Sequence, residues 1–345
     1  MRKIILFFVV VLFLSFILSC SKTESPTSPE PVASNPERIV FVSDKDNSTA
    51  EMYIMDLDGT NIFRLTNNNF FEPGGKLSPT KDKIVFEQEQ NGNWEIMIIN
   101  INGSGYINLS NHSFDDWAPS WSPNDKKIAF VSNRDGNNEI YVVNADGSGL
   151  KRLTNNSVYD DSPSWSPDGK QIVFVSYVDN MVPNYHIFKM DADGNNKMQL
   201  TYTNTSERWP IWSPKGDKIA YIGWSPIDIY VMDTQGLYVT NITNNGKYIT
   251  SYAWSPDGKK IAFVSNIDNT DSEVYTINTD GTDLKQITNN SYEEINVYFT
   301  MDGKKIIYDS NEGSAYNIYI TDTEGLIHRN LTNSTTNDYL LFITP

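Results

Sequence analysis

The chain has 345 residues, of which 39% are hydrophobic and 12% aromatic, and its formal charge at pH 7 is −16. This composition is too apolar for a disordered chain, and the negative charge excludes a protein that binds nucleic-acid phosphates. A single cysteine excludes an intrachain disulfide framework and any metal centre built from several cysteines. The length fits two domains, although some all-β folds reach this size as one.

The first 19 residues are predicted to be a secretory signal peptide. Arg2 and Lys3 supply a positive start, and an apolar run from Ile4 to Leu18 follows, interrupted only by Ser15. The run is shorter than the roughly 20 residues that a membrane-spanning helix prefers, and it has the order of a cleavable leader. An uncleaved membrane anchor is the alternative.

The end of this run, from Ile17 to Cys20, resembles the lipobox of bacterial lipoproteins. The resemblance implies cleavage before Cys20 and a lipid on that cysteine, which is the only one in the chain. No aspartate follows Cys20, so the resemblance favours the outer membrane of a bacterial cell envelope and leaves the membrane face open. The following residues, up to 37, are rich in Pro, Ser and Thr, which predicts an extended tether.

From residue 38 the chain consists of seven copies of one unit. The copies begin at equivalent dipeptides, which are Arg38-Ile39, Lys83-Ile84, Lys127-Ile128, Gln171-Ile172, Lys218-Ile219, Lys260-Ile261 and Lys305-Ile306. A period of about 44 residues is typical of propeller blades rather than of helical or leucine-rich repeats.

The third copy shows four predicted strands joined by turns of known chemistry. The strands are Lys127–Ser132, Glu139–Asn144, Leu150–Thr154 and Ser162–Ser166. Asp146-Gly147 predicts a tight hairpin because glycine supplies a positive φ. Ser166 to Gly169 (Ser-Pro-Asp-Gly) predicts a second tight turn that leads into the next copy. Helical periodicity is absent from the repeats, so the sequence predicts an all-β fold.

The repeated motif resembles the TolB-type, WD-like β-propeller repeat. The motif runs Trp-Ser-Pro-Asp-Gly-Lys, Ile-x-Phe-x-Ser, Ile-Tyr-x-x-Asn-x-Asp-Gly and Leu-Thr, and its copies cover residues 38–345. Seven units and a lipobox distinguish this chain from TolB itself. The resemblance therefore implies the fold rather than a role in the Tol system.

The strand order predicts how the ring closes. The chain opens with three strands of a blade, and Asp338 to Pro345 matches the missing fourth strand. Pairing these segments gives a single β-propeller of seven four-stranded blades without long exposed edges. Six blades with one displaced copy is the alternative.

The two ends of the propeller should differ in character. The Ser-Pro-Asp-Gly and Asp-Gly turns fall at one end, which we term the tight-turn face. The other end, the variable face, carries connections of unequal length, such as Ser176 to Pro183 and Gly223 to Pro226. Variable loops on a rigid scaffold commonly bind partners, so we expect a site on the variable face.

A carboxylate stands five residues before the Trp position of six innermost strands. These residues are Glu72, Asp116, Asp160, Glu207, Glu294 and Asp338, and Ile249 takes the seventh place. If they point inward, the channel mouth is acidic and requires raised pKa values, a bound divalent cation or a cationic partner. The alternative is structural, with each carboxylate accepting hydrogen bonds from backbone N–H groups of the adjoining blade.

Three tryptophans near the variable face are predicted to be anchors for a partner, and they are Trp117, Trp209 and Trp224. No catalytic or phosphate-binding motif occurs, and the three histidines have no metal-ligand spacing. We therefore expect a non-catalytic module that binds a protein or peptide, favouring a basic segment. Carbohydrate binding or processing through the same aromatic and acidic residues is the second hypothesis, and a structural divalent cation at the channel mouth is the third.

Overall fold

The computed structural model describes residues 37–344 except 47–49, 69, 73, 179–183 and 268–270. The predicted signal peptide (1–19), the lipidation site Cys20 and the tether up to residue 36 lie outside the described residues. No helix long and apolar enough to span a membrane occurs in the described part of the chain.

The described residues form strands and turns only. The strands, in chain order, are β1 (Arg38–Ser43), β2 (Glu51–Asp56), β3 (Phe63–Arg64), β4 (Gly75–Leu77), β5 (Lys83–Gln90), β6 (Asn93–Asn100), β7 (Ile107–Asn108), β8 (Asp116–Trp121), β9 (Lys127–Ser132), β10 (Glu139–Asn144), β11 (Lys151–Arg152), β12 (Asp160–Trp165), β13 (Gln171–Val178), β14 (Asn184–Asp191), β15 (Met198–Gln199), β16 (Glu207–Trp212), β17 (Lys218–Trp224), β18 (Ile227–Asp233), β19 (Thr240–Asn241), β20 (Ile249–Trp254), β21 (Lys260–Ser265), β22 (Glu273–Asn278), β23 (Lys285–Gln286), β24 (Glu294–Phe299), β25 (Lys305–Ser310), β26 (Asn317–Asp322), β27 (His328–Asn330) and β28 (Asp338–Thr344).

These strands make seven antiparallel sheets of four strands, which are the blades of a β-propeller. Blade 1 has the order β28-β1-β2-β3, so the last strand of the chain pairs with the first. Blades 2 to 7 follow in chain order, beginning with β4, β8, β12, β16, β20 and β24 as their innermost strands. The predicted closure and the count of seven blades are confirmed, and the six-blade alternative is wrong.

The hydrophobic core is divided among the blade interfaces. Each of seven buried clusters joins two neighbouring blades; one, for example, packs Val85 and Ile96 of blade 2 against Trp121 and Phe130 of blade 3. The cluster between blades 7 and 1 completes the ring. Since burying one large apolar side chain contributes roughly 1.5–3 kcal/mol, these interfaces hold the ring together.

The predicted turns form as their residue types require. In the Ser166 turn, the Gly169 N–H donates to the Ser166 carbonyl at 2.9 Å, and Gly169 has a φ of 70°. The Ser166 hydroxyl accepts the Gln171 N–H at 3.0 Å and donates to Asp168 at 2.7 Å. These bonds satisfy the backbone at the tight-turn face and fix where each following strand begins.

Candidate functional site

The six predicted carboxylates lie at the variable-face ends of their innermost strands, but they are buried. Their exposed fractions are 0% for Glu72, 0% for Asp116, 0% for Asp160, 1% for Glu207, 1% for Glu294 and 2% for Asp338. They therefore occupy the blade interfaces rather than an open channel mouth. Direct contact of these groups with a partner stays a prediction, and their burial does not support it.

Four of these carboxylates, Glu72, Asp160, Glu207 and Glu294, accept hydrogen bonds from the segment that leads into their own strand. Glu72 accepts the Thr66 hydroxyl and the Asn68 amide, both at 2.7 Å. Thr66 in turn accepts the Met52 N–H of blade 1 at 2.8 Å, so the bonds join two blades. The structural alternative named backbone N–H donors, whereas the donors here are side-chain hydroxyls and amides.

A second set of buried acids lies beside the first, and the sequence analysis missed it. These acids lie within the first three residues of the third strand outward, and they are Glu51, Glu95, Glu139, Asp228 and Glu273. Four of them precede a predicted carboxylate in the next blade, and Asp228 precedes Ile249. Glu51 pairs with Arg64 at 3.0 Å, and Glu139 pairs with Arg152 at 2.8 Å. Their recurrence at one repeat position was the signal that could have found them.

Most of the resulting acid pairs are relieved by a neighbouring group. Arg134 pairs with Asp116 at 2.9 Å. In the interface between blades 4 and 5, His186 replaces the second acid and its Nδ1 lies 2.8 Å from Glu207. At the following interface Ile249 replaces the first acid, so Asp228 has no acidic neighbour there. The repeats thus avoid two buried negative charges at these positions.

Among the described residues, one interface keeps both acids without an arginine partner, and it holds Glu273 and Glu294. Burial, followed by the Glu273 charge, raises the pKa of Glu294 to about 9. Burial and the Glu139 charge likewise raise the pKa of Asp160. At neutral pH the Glu273–Glu294 pair therefore holds one proton between its carboxyl groups. The described residues do not bring three His, Cys, Asp or Glu side chains together as a metal site, and a divalent cation stays a prediction.

The accessible space lies at the centre of the ring, in a channel cavity of about 1040 Å³. Each innermost strand contributes one residue to the middle of this cavity. The seven residues pair with equivalent repeat positions of the second strands, and they are Lys76, Ser120, Ser164, Ile211, Ala253, Tyr298 and Phe342. A second cavity of about 570 Å³ adjoins it and shares Lys76 and Tyr298. These seven residues are termed the channel ring.

Two of the three predicted tryptophan anchors line this channel. The Trp117 indole N–H donates to the Asp161 carboxylate at 3.1 Å. Trp209 is 45% exposed and has a φ of 52°, a left-handed conformation that bulky residues rarely adopt. Such backbone outliers cluster at functional sites. Trp224 is 44% exposed and lies outside the channel lining.

Arg208 connects Trp224 to the channel. Its guanidinium lies 5.1 Å from the Trp224 ring centroid and 5.1 Å from that of Tyr185, and Arg208 and Tyr185 both line the cavity. Tyr185 contacts Tyr177 edge-on at 5.4 Å, and Tyr177 contacts Tyr159. We term Tyr159, Tyr177, Tyr185, Arg208 and Trp224 the aromatic rim. Only Trp224 of this group was predicted, although Tyr177 and Tyr185 flank the long variable loop in the sequence.

The comparisons with known proteins agree with this architecture. The model of the TolB beta propeller domain family matches residues 34–226 and 224–340. An oligogalacturonate lyase solved in complex with manganese is similar with a TM-score of 0.68 and 16% identity, over 83% of this chain and 85% of that one. TolB from Acinetobacter baumannii is similar with a TM-score of 0.53 and 20% identity, over 84% and 77%.

One of the structurally similar proteins is considerably longer. A prolyl endopeptidase is similar with a TM-score of 0.67 and 13% identity, over 88% of this chain but only 48% of its own length. No curated protein matches the sequence. At these identities the structural likeness shows the fold alone.

Proposed function

We propose that this chain, which belongs to the TolB β-propeller domain family, is a non-catalytic module that binds a peptide segment of a protein partner. The segment would cross the aromatic rim on the variable face and enter the central channel. The observation that carries the proposal is the continuity of exposed aromatic and cationic groups from Trp224 through Arg208 into the cavity.

The rim has the chemistry of a protein-binding hot spot. Tryptophan, tyrosine and arginine are enriched among the residues that contribute most to protein interfaces, and tryptophan and tyrosine bury a large area at a low entropy cost. Tyr159 is 47% exposed and Trp224 is 44% exposed, while Arg208 is held between two rings. The rim therefore presents preorganised contacts next to an open cavity.

The net charge supports a partner with the opposite sign. At a formal charge of −16, the field of the propeller accelerates the approach of a basic segment and slows that of an acidic protein. In this proposal the six buried carboxylates fix the innermost strands, and the rim and channel make the contacts. The proposal includes the predicted lipid at Cys20 and a location in the bacterial cell envelope.

An affinity selection tests this function. A synthetic library of random dodecapeptides, made in C-terminal acid and amide forms, is enriched on the full-length protein in detergent and identified by mass spectrometry. We expect selected peptides to be rich in basic and aromatic residues. Trp209→Ala should weaken them by tenfold to a hundredfold, since truncating a hot-spot residue costs about 1–3 kcal/mol.

Tyr238→Ala is the matched control, because Tyr238 is an 86% exposed aromatic residue outside the channel lining. Its affinities should equal those of the native protein. The proposal would be contradicted if no peptide were enriched. It would also be contradicted if Trp209→Ala and Tyr238→Ala lost peptide affinity equally at unchanged thermal stability.

Carbohydrate binding is the second candidate. The exposed ring of Trp209 beside a cavity suits sugar stacking, and the similar fold of an oligogalacturonate lyase directs the choice of probe. Trigalacturonate binding that depends on Trp209, without selected peptides, would favour this candidate.

A further inference from the structure

Lys76 is the only charged residue of the channel ring. The other six positions hold two serines, an isoleucine, an alanine, a tyrosine and a phenylalanine. Solvent reaches the Lys76 side chain through the cavities, while the surrounding protein atoms lower its pKa by desolvation. A basic side chain thus projects into a largely apolar cavity.

Two carboxylates that line the cavities, Glu87 and Asp161, already have other donors. The Glu87 charge opposes the effect of desolvation and raises the pKa of Lys76. Glu87 Oε1, however, already accepts the Ala118 N–H at 2.7 Å. Asp161 accepts the Trp117 indole N–H at 3.1 Å and the Ser162 hydroxyl at 3.1 Å. Within the part of the chain that the structure describes, the Lys76 ammonium has neither an ion pair within 4.0 Å nor a hydrogen bond.

Other donors of the channel ring are also without acceptors. Among the described residues, the hydroxyl groups of Ser120, Ser164 and Tyr298 make no hydrogen bond to protein, and all three residues line the cavity with Lys76. Tyr298 lines both cavities, as Lys76 does. A ring of one ammonium and three hydroxyl groups is suited to an anionic acceptor, because hydrogen bonds to a charged group are stronger than those between neutral groups.

We propose that the channel ring binds a carboxylate of the ligand through Lys76, and that this carboxylate is the free C-terminus of the bound peptide. The assignment rests on the proposed function, since it concerns the same channel. A chain end is the part of a peptide that can enter between seven innermost strands while the preceding residues contact the rim. The basic residues expected of the partner then remain outside, toward the acidic surface.

The test compares the acid and amide forms of the peptides selected on the full-length protein. We expect the acid forms to bind the native protein at least about tenfold more tightly, because a hydrogen bond to a charged group contributes roughly 1.5–3 kcal/mol. In Lys76→Met this ratio should fall below about twofold. Lys76→Arg, which keeps the charge, should retain most of it.

Lys170→Met is the matched control, since it removes one charge from a lysine whose side chain is 81% exposed. It should leave the ratio unchanged, and thermal melting shows whether each variant is folded. Equal binding of acid and amide forms, with loss of both in Trp209→Ala, would overturn the carboxylate assignment and leave the proposed function standing. Trigalacturonate that binds through Lys76 while peptides do not would overturn both.

Discussion

Buried carboxyl groups at the blade interfaces make the stability of this protein depend on pH. Glu294 has its pKa raised from 4.5 to about 9 by burial and by Glu273. Between these values the folded protein holds a proton that the unfolded chain releases. The unfolded chain then binds fewer protons, so the free energy of unfolding falls as the pH rises, by up to about 1.4 kcal/mol per pH unit.

Glu294→Gln should remove this dependence, because an amide keeps the shape of the protonated group and does not ionise. We expect the variant to be more stable than the native protein at pH 8.5 and nearly equal to it at pH 5. Urea unfolding at both pH values measures the difference, and Glu89→Gln, at an exposed position, is the control. Parallel pH profiles for the native protein and Glu294→Gln would show that the pair does not hold a proton.

The innermost strands near the rim contain a bulge that the sequence does not reveal. In β8, β12 and β16 the pairing register shifts after the second residue, and Ala118, Ser162 and Trp209 have φ values of 52°, 53° and 52°. A left-handed conformation costs a residue with a Cβ atom roughly 1–2 kcal/mol. These three strands carry strain on the side of the channel where Arg208 lies.

Ala118→Gly should therefore stabilise the protein, by about 0.5–1 kcal/mol, because glycine adopts this conformation without strain. Ala253→Gly is the control on a channel-lining strand, and it should destabilise by about 0.5–1 kcal/mol, the usual cost of glycine in a regular element. Denaturant unfolding at fixed pH measures both. If both glycine variants lost a similar free energy of unfolding, the bulge would be unstrained.

Strand identity was predictable from the sequence, and side-chain environment was not. The repeated Trp-Ser-Pro-Asp-Gly turn and the match of Asp338 to a fourth strand led directly to the blade count and the closure. The position of Asp160 was also predicted, but its place beside Glu139 arises only after two blades meet. Arg208 could not be found from the repeats, because no shared residue type marks its position. Its contacts with Tyr185 and Trp224 form only in the folded chain.

At the scale of the whole molecule, the repeats build a rigid ring and the exceptions to the repeat build the candidate site. Six of the channel ring positions hold uncharged residues of different sizes, while Lys76 brings a basic group to the centre. Arg208, Trp209 and Trp224 belong to one blade, so the contacts for a partner concentrate on one side of the variable face. This asymmetry is the central claim of the proposed function.

Site-specific photo-crosslinking in living cells tests that claim most directly. A photoreactive amino acid replaces Ile211, which is 37% exposed and lines the channel, or Tyr238, which lies outside it. Position 211 should yield one adduct whose crosslinked peptide, identified by mass spectrometry, contains a protein C-terminus, and Arg208→Ala should abolish it. An adduct formed equally at position 238, or one at position 211 that persists in Arg208→Ala, would contradict binding through the rim and channel.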